Sequence, residues 1–352
     1  MTSQLPLRER AGAWLLLLGT LTAGIGLTWD VQWHADVGPD TFFTAPHLVM
    51  YLGSAITGLT SLIVVLLTTR AARDTAAMPA VTVMRVFRTP LPFLICGTAA
   101  AAGLLYGLTD LWWHTVYGFD VTPTSPPHVA MSLMTLFDTA GLIFAFIMLR
   151  STSTGRVGLA VAAVAGIPGL VFLCYSTPRL PGVDSILLAI CAISVLVVTA
   201  AAAALRETRS IVVIAAAYAA MHALFWVVPI PATKVYADSL GLGMRDYASG
   251  VPAMPVTFPF ALPIAVLVLA GGLALGRRRN WALRPVVLVL GGLTGLIVAL
   301  GYVPVFTPPA LTIVAAVPVG VLSGWFGWHL GTAGRLASAP VSTPARKTLV
   351  EV

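Results

Sequence analysis

About ten apolar stretches, each near the length of a bilayer-crossing helix, constrain this chain more than any single motif. A membrane helix takes about 20 mostly apolar residues, and windows of that kind fall approximately at 12–30, 46–69, 91–113, 127–149, 157–176, 184–205, 210–228, 256–276, 285–303 and 309–331. Inside a bilayer no water serves the backbone amides, so runs of this length satisfy their own hydrogen bonds as helices. With 58% hydrophobic and 9% charged residues, the composition lies outside soluble globular usage. The expected fold class is all-α, a polytopic integral membrane helical bundle of about ten transmembrane helices arranged as outward-opening hairpins.

The formal charge of +7 does not point to nucleic acid, because the basic residues are split among short loops. Arg70, Arg73, Arg85 and Arg88 lie between the second and third spans, Arg150 and Arg156 between the fourth and fifth. Arg206 and Arg209 separate the sixth from the seventh, and Arg277, Arg278 and Arg279 the eighth from the ninth. The alternate loops are poorer in Arg and Lys. The positive-inside rule then places both termini and the basic loops in the cytoplasm. The first apolar run, flanked by Arg8 and Arg10, is read as a retained helix, since it continues directly into Asp30 and His34. Cys96, Cys174 and Cys191 sit in apolar segments without CxxC spacing and are read as packing residues.

Two segments carry the same polar side chains. WDVQWHADVGPDTFFTAPH reads against TDLWWHTVYGFDVTPTSPPH, so that Asp30, Trp33, His34, Gly38, Asp40 and His47 match Asp110, Trp113, His114, Gly118, Asp120 and His128. The repeats cover about 12–70 and 91–150, which defines a duplicated module over 1–150. Residues 151–331 form a helical module without the ligand motif, and 332–352 read as a disordered cytoplasmic tail. Internal repeats of this kind pack about a pseudo-symmetry axis and put function at their interface. The Pro- and Gly-rich loops at this end, TPTSPP at 122–127 among them, suit ordered caps. The long segment at about 229–255 is read as a solvated connector rather than a lid.

The spacing i to i+4 puts Asp30 and His34 on one face at the end of the first helix, and Asp110 and His114 likewise at the end of the third. His47 and His128 open the returning helices, each directly after a proline. Each hairpin therefore offers one carboxylate and two imidazoles from adjacent helix ends, placed near the extracytoplasmic face. That donor set suits Cu(II), Zn(II) or non-haem Fe(II), and three protein ligands leave coordination positions open for reaction. Asp40 and Asp120 are read as acceptors orienting the histidines, with Trp33 and Trp113 beside them.

DVQWHADVGPDTFFTAPH resembles the metal-site segment of the C subunit of the copper membrane monooxygenases, the particulate methane and ammonia monooxygenase family. That pattern is D-x3-H-x12-H, with Trp before the first His, Asp six residues after it, and Phe-Thr and Pro ahead of the second. Asp30, Trp33, His34, Asp40, Phe43, Thr44 and His47 reproduce it, with Pro46 shifted by one. Asp110, Trp113, His114, Asp120 and His128 match in the second copy, where the gap is one residue longer and Phe-Thr is missing. The resemblance covers roughly the first 150 residues. It implies copper held by Asp30, His34 and His47 and by Asp110, His114 and His128, acting catalytically on dioxygen and a small or lipophilic substrate. It also implies further monooxygenase-type subunits or a homo-oligomer. The family carries the motif once and has fewer helices.

Asp138, well inside the fourth span, is read either as a proton relay or as a hydrogen-bonded packing acid. His222 and His329 are read as packing and interfacial residues, Trp29 and Trp112 as an aromatic belt, and Met131 and Met134 as core. A copper or divalent-metal transporter is the competing function, but it requires ligands continuing across the membrane. A b-type haem protein needs paired axial histidines, and a desaturase needs more histidine boxes than six His allow.

Overall fold

The computed structural model describes residues 6–38, 40–71, 78–118 and 124–338. Among them ten helical spans are long and apolar enough to cross a membrane, and the chain is an all-α membrane bundle as hydropathy predicts. Helices α1 (Leu7–Asp36) and α2 (Ala45–Arg70) form one hairpin, α3 (Leu91–Tyr117) and α4 (Pro126–Leu149) a second, and α2 packs on α3. Helices α5 (Ser153–Ala165) and α6 (Ile167–Cys174) share one span, followed by α7 (Ser185–Leu205). Next come α8 (Thr208–Val227) with α9 (Pro229–Ser239), then α10 (Leu262–Arg278), α11 (Leu283–Leu300) and α12 (Ala310–Ala337). One continuous buried core runs from Ala13 of α1 to Ala316 of α12.

Three local features depart from the hydropathy reading. The fifth span breaks between α5 and α6 at Gly166, where the Thr139 side chain fills the space a Cβ would take. Pro168 follows in the first turn of α6 and cannot donate to a carbonyl of the preceding turn, which separates the two helices. The basic loop after α2 contains a small antiparallel hairpin, β1 (Ala80–Val83) with β2 (Phe87–Pro90). Its three-residue turn, 84–86, places Met84 and Arg85 at positive φ. Helix α12 runs on to Ala337, past the expected start of the tail at 332; the rest of that tail lies outside the described residues.

The segment at 229–255 is not a solvated connector. Its first part is α9, which packs on α1 through Trp33, Val37 and Ala237, with Tyr236, Leu242 and Met244 around them. Trp33 is fully buried there, and its ring lies 4.8 Å from that of Tyr236. The second part straps across the end of α1. The backbone amide of Arg245 donates to the Asp36 carbonyl (2.7 Å), its guanidinium donates to the His34 carbonyl (3.0 Å), and the Ala253 amide donates to Gln32 Oε1 (2.7 Å). The last carbonyls of a helix have no intrahelical partner, and the strap supplies one.

Helices α1 and α2 cross so closely that a Cβ on Gly53 would lie 2.5 Å from the Ala23 amide nitrogen and 2.6 Å from the Gly19 carbonyl oxygen. Small residues at such crossings let backbones approach. Gly53→Val is expected to lower the thermal midpoint of detergent-purified protein by several degrees, as overpacking by about 1–3 kcal/mol would. Gly271→Ala, whose Cβ meets nothing within 4 Å, should leave the midpoint in place.

Candidate metal centres

The hairpin tips are built alike. Helix α1 ends as the Val37 and Gly38 amides both donate to the Trp33 carbonyl, with Gly38 at φ +99°. A Cβ on Gly38 would collide with the Arg245 guanidinium, so glycine serves both the turn and the strap. Helix α3 ends at Gly118, φ +91°, whose amide donates to the His114 carbonyl. The returning helices start on prolines, and Ser125 Oγ accepts from the His128 amide to cap α4. His47 and His128 thus stand in first turns, facing the last turns that carry the Asp/His pairs.

Both predicted trios converge. In the first, His47 Nε2 lies 3.1 Å from Asp30 Oδ1, and His34 Nε2 lies 3.6 Å from Asp30 Oδ2. In the second, Asp110 Oδ2 lies 3.1 Å from His114 Nε2 and 3.5 Å from His128 Nε2. The imidazole centroids are 6.4 Å apart in one trio and 5.9 Å in the other. Within each set the donor atoms all lie within 4.8 Å of one another. The sequence duplication is therefore a duplication of geometry as well.

Asp40, read as an acceptor orienting the histidines, faces their Nε2 atoms. Its side chain is only 2% exposed, and Oδ2 lies 3.3 Å from His34 Nε2 and 3.4 Å from His47 Nε2, among the donors themselves. The short loop folds it inward: Oδ1 accepts from the Thr41 amide (2.7 Å) and the Thr44 hydroxyl (2.5 Å). Burial raises the Asp40 pKa, but the imidazoles of His34 and His47 and the Thr44 hydroxyl outweigh it and hold the carboxyl below its ordinary value. Asp120, its counterpart, lies outside the described residues.

Backbone carbonyls orient the rings. Thr41 O lies 3.0 Å from His47 Nδ1, and Gly118 O lies 3.1 Å from His114 Nδ1. A carbonyl only accepts, so Nδ1 carries a proton in both. Neutral imidazole then presents an Nε2 lone pair to carboxylate oxygen, an arrangement that repels unless a cation lies between. Protons on Nε2 would serve, and so would one metal ion. A tetrahedral ion with ligands at about 2.0–2.1 Å holds its donors about 3.3 Å apart, inside the 3.1–3.6 Å span observed. Asp110 Oδ1, buried and without a protein hydrogen-bond partner, leaves a further lone pair at the second set. The donor chemistry and spacing fit a divalent ion.

A cavity of about 200 Å³ touches both sets, lined by Asp30 and His47 on one side and by Asp110 and His128 on the other. Its walls are small or apolar, including Ala23, Gly103, Met50, Met131, Met134 and Phe172. Asp138 lines it too. The Thr20 hydroxyl lies 2.8 Å from Asp138 Oδ2 and 3.1 Å from the Leu16 carbonyl. The Thr20 hydroxyl thus stands between the Asp138 carboxylate and the backbone of α1 as a shared donor. Asp138 Oδ1 has no protein hydrogen-bond partner. Beyond it toward the arginine-rich end, Leu16, Phe93, Cys96, Leu142 and Phe146 are completely buried and close the path.

Sequence reasoning missed Tyr51, Gln32 and Arg245. Tyr51 sits one helical turn after His47, lines the cavity, and lies within electrostatic reach of Asp30, Asp40 and Asp110. The i to i+4 spacing from His47 was a signal for it; nothing local in the sequence marks Arg245. Trp113 is half-buried, with its ring 4.4 Å from that of Tyr117, whereas its counterpart Trp33 is fully buried. His222 belongs to no donor set: its Nε2 lies 3.2 Å from the Pro255 carbonyl, among Phe258, Phe260 and Trp226. His329 stacks edge-on with Trp325. No protein-family model, curated protein or solved structure matches the chain.

The equivalent tryptophans offer a test of this asymmetry. Trp33→Ala is expected to destabilise by about 3–5 kcal/mol, the cost of emptying a filled core site, whereas Trp113→Ala costs clearly less. Thermal unfolding of the two variants in one detergent checks the order.

Proposed function

We propose that the chain is a copper-dependent membrane oxidoreductase of monooxygenase type. The observation that carries this reading is the convergence of two Asp/His donor sets on one small, mostly apolar cavity. Asp30, His34 and His47, with Asp40, would hold one ion, and Asp110, His114 and His128 a second. Bound copper would supply dioxygen activation. The three aspartates would compensate the metals' charge, and the Thr41 and Gly118 carbonyls keep Nε2 of His47 and His114 turned inward. Each donor set leaves its cavity side open, where the walls exclude bulk water and accept an apolar molecule arriving from the bilayer. Asp138, at the cavity's inner end, would take up or release a proton there.

By the positive-inside rule the arginine-rich loops and both termini are cytoplasmic in the plasma membrane, which sets the metal centres near the extracytoplasmic face. Further monooxygenase-type subunits or a second copy of the chain would supply the route for electrons. Transport of copper or another divalent metal is the alternative reading. The cavity's reach to Asp138 favours it, but the layer beyond Asp138, formed by Leu16, Phe93, Cys96, Leu142 and Phe146, is completely buried and mostly apolar.

Metal analysis of detergent-purified protein tests the proposal. Wild type is expected to bind up to two copper ions, and His34→Ala and His114→Ala one fewer each. Equal, substoichiometric copper in all three would defeat the assignment. Affinity should also fall, by up to about tenfold per pH unit for each proton displaced, as pH drops. Protons then compete for the inward-facing Nε2 atoms, and a Cu(II) titration followed by its visible absorption reads the trend.

A further inference from the structure

The opposite end of the bundle holds a second cavity of about 460 Å³, lined by Arg206, Arg277, Asn280, Trp281 and Trp328 above an apolar floor that includes Leu273 and Val286. It lies where α7 and α10 end and α11 begins, against α12. Arg277 reaches from α10 to α8 and donates to Thr208 Oγ1 at 2.7 Å. Glu207, the acid nearest Arg206 in sequence, turns to Arg156 at 3.3 Å. Among the described residues neither Arg206 nor Arg277 has a carboxylate within ion-pair distance.

The backbone adds an independent sign. Arg206 and Asn280 are two of the four described non-glycine residues at positive φ, at +60° and +53°, and both line this cavity. Arg206 occupies the left-handed position just after α7, with its amide on the Ala202 carbonyl, where glycine is the ordinary residue. Arginine there carries backbone strain that glycine would not, and strained positions of this kind gather at ligand sites. What the strain retains is a guanidinium at the cavity.

We propose that this cavity binds the headgroup phosphate of an anionic phospholipid. The two guanidiniums and the Asn280 amide are donors matched to phosphate oxygens. Trp281 and Trp328 are placed where indoles meet the glycerol region, and Leu273 and Val286 continue as a surface for the first acyl methylenes. Basic pockets between membrane helices recognise lipid phosphates in this way. A soluble phosphate shares the headgroup chemistry but makes no use of the apolar floor.

Thermal unfolding of the full chain in micelles doped with phosphatidylglycerol, with phosphatidylcholine, or with phosphatidylcholine plus inorganic phosphate tests the proposal. Phosphatidylglycerol is expected to raise the midpoint above both other conditions, and Arg206→Gly and Arg277→Gln each to lose most of that rise. Arg206→Gly suits the local backbone, so its unliganded midpoint should hold or increase, which separates lost binding from lost folding. An equal rise with phosphatidylcholine, or a rise retained in both variants, would overturn the site. A rise of the same size with inorganic phosphate would overturn the lipid as its occupant.

Discussion

The close approach of carboxylate and imidazole at the two hairpin tips governs this molecule. Where Asp30 meets His34 and His47, and Asp110 meets His114 and His128, carboxylate oxygens and imidazole nitrogens stand 3.1–3.6 Å apart. With Nδ1 of His47 and His114 committed to backbone carbonyls, these contacts are stable with a proton on Nε2 or with a cation between the donors. In a site that is largely shielded from water, the electrostatic demand is strong. The hairpin tips, the strap and the close crossing of α1 and α2 can all be read as ways of holding that arrangement still.

The support differs between the copies, and the difference is physical. At the first tip the aromatic cluster of Trp33 and Tyr236 joins α9 to α1, and Arg245 occupies the last carbonyls of the helix. The second tip has Ser125 as its cap and a half-buried Trp113 beside Tyr117. Asp40 adds a fourth donor residue to the first set. Under the proposed function the first centre is the more firmly braced among the described residues, and the second is the better suited to ligand exchange. Both open on the same small cavity, so a molecule held there meets both.

Much of the site was legible because its signals are local. The i to i+4 spacing of Asp30 with His34, the glycines at Gly38 and Gly118 and the prolines ahead of His47 and His128 each act within a few residues, and all appear where expected. Which imidazole nitrogen Asp40 faces was not legible, because its direction depends on how Thr41 and Thr44 fold a short loop. Arg245 and Ala253 were illegible, since they meet α1 from more than 200 residues away in the chain. The segment that carries them reads as a polar connector, and only the buried face of α9 reveals otherwise.

Hydropathy alone determined the helical membrane bundle, because a bilayer leaves a long apolar segment few ways to satisfy its backbone. The repeat likewise determined which six side chains form the trios, since helix periodicity and the turn residues aim them without help from distant parts. Tertiary structure decided what lies between and around them: a shared cavity ending on Asp138, Tyr51 beside both sets, and a strap over the first. These depend on how closely α1, α2, α3 and α4 approach and on what α5 and α6 press against them. Such approach distances are set by small residues meeting across helices, a pairing that no window along one chain segment contains.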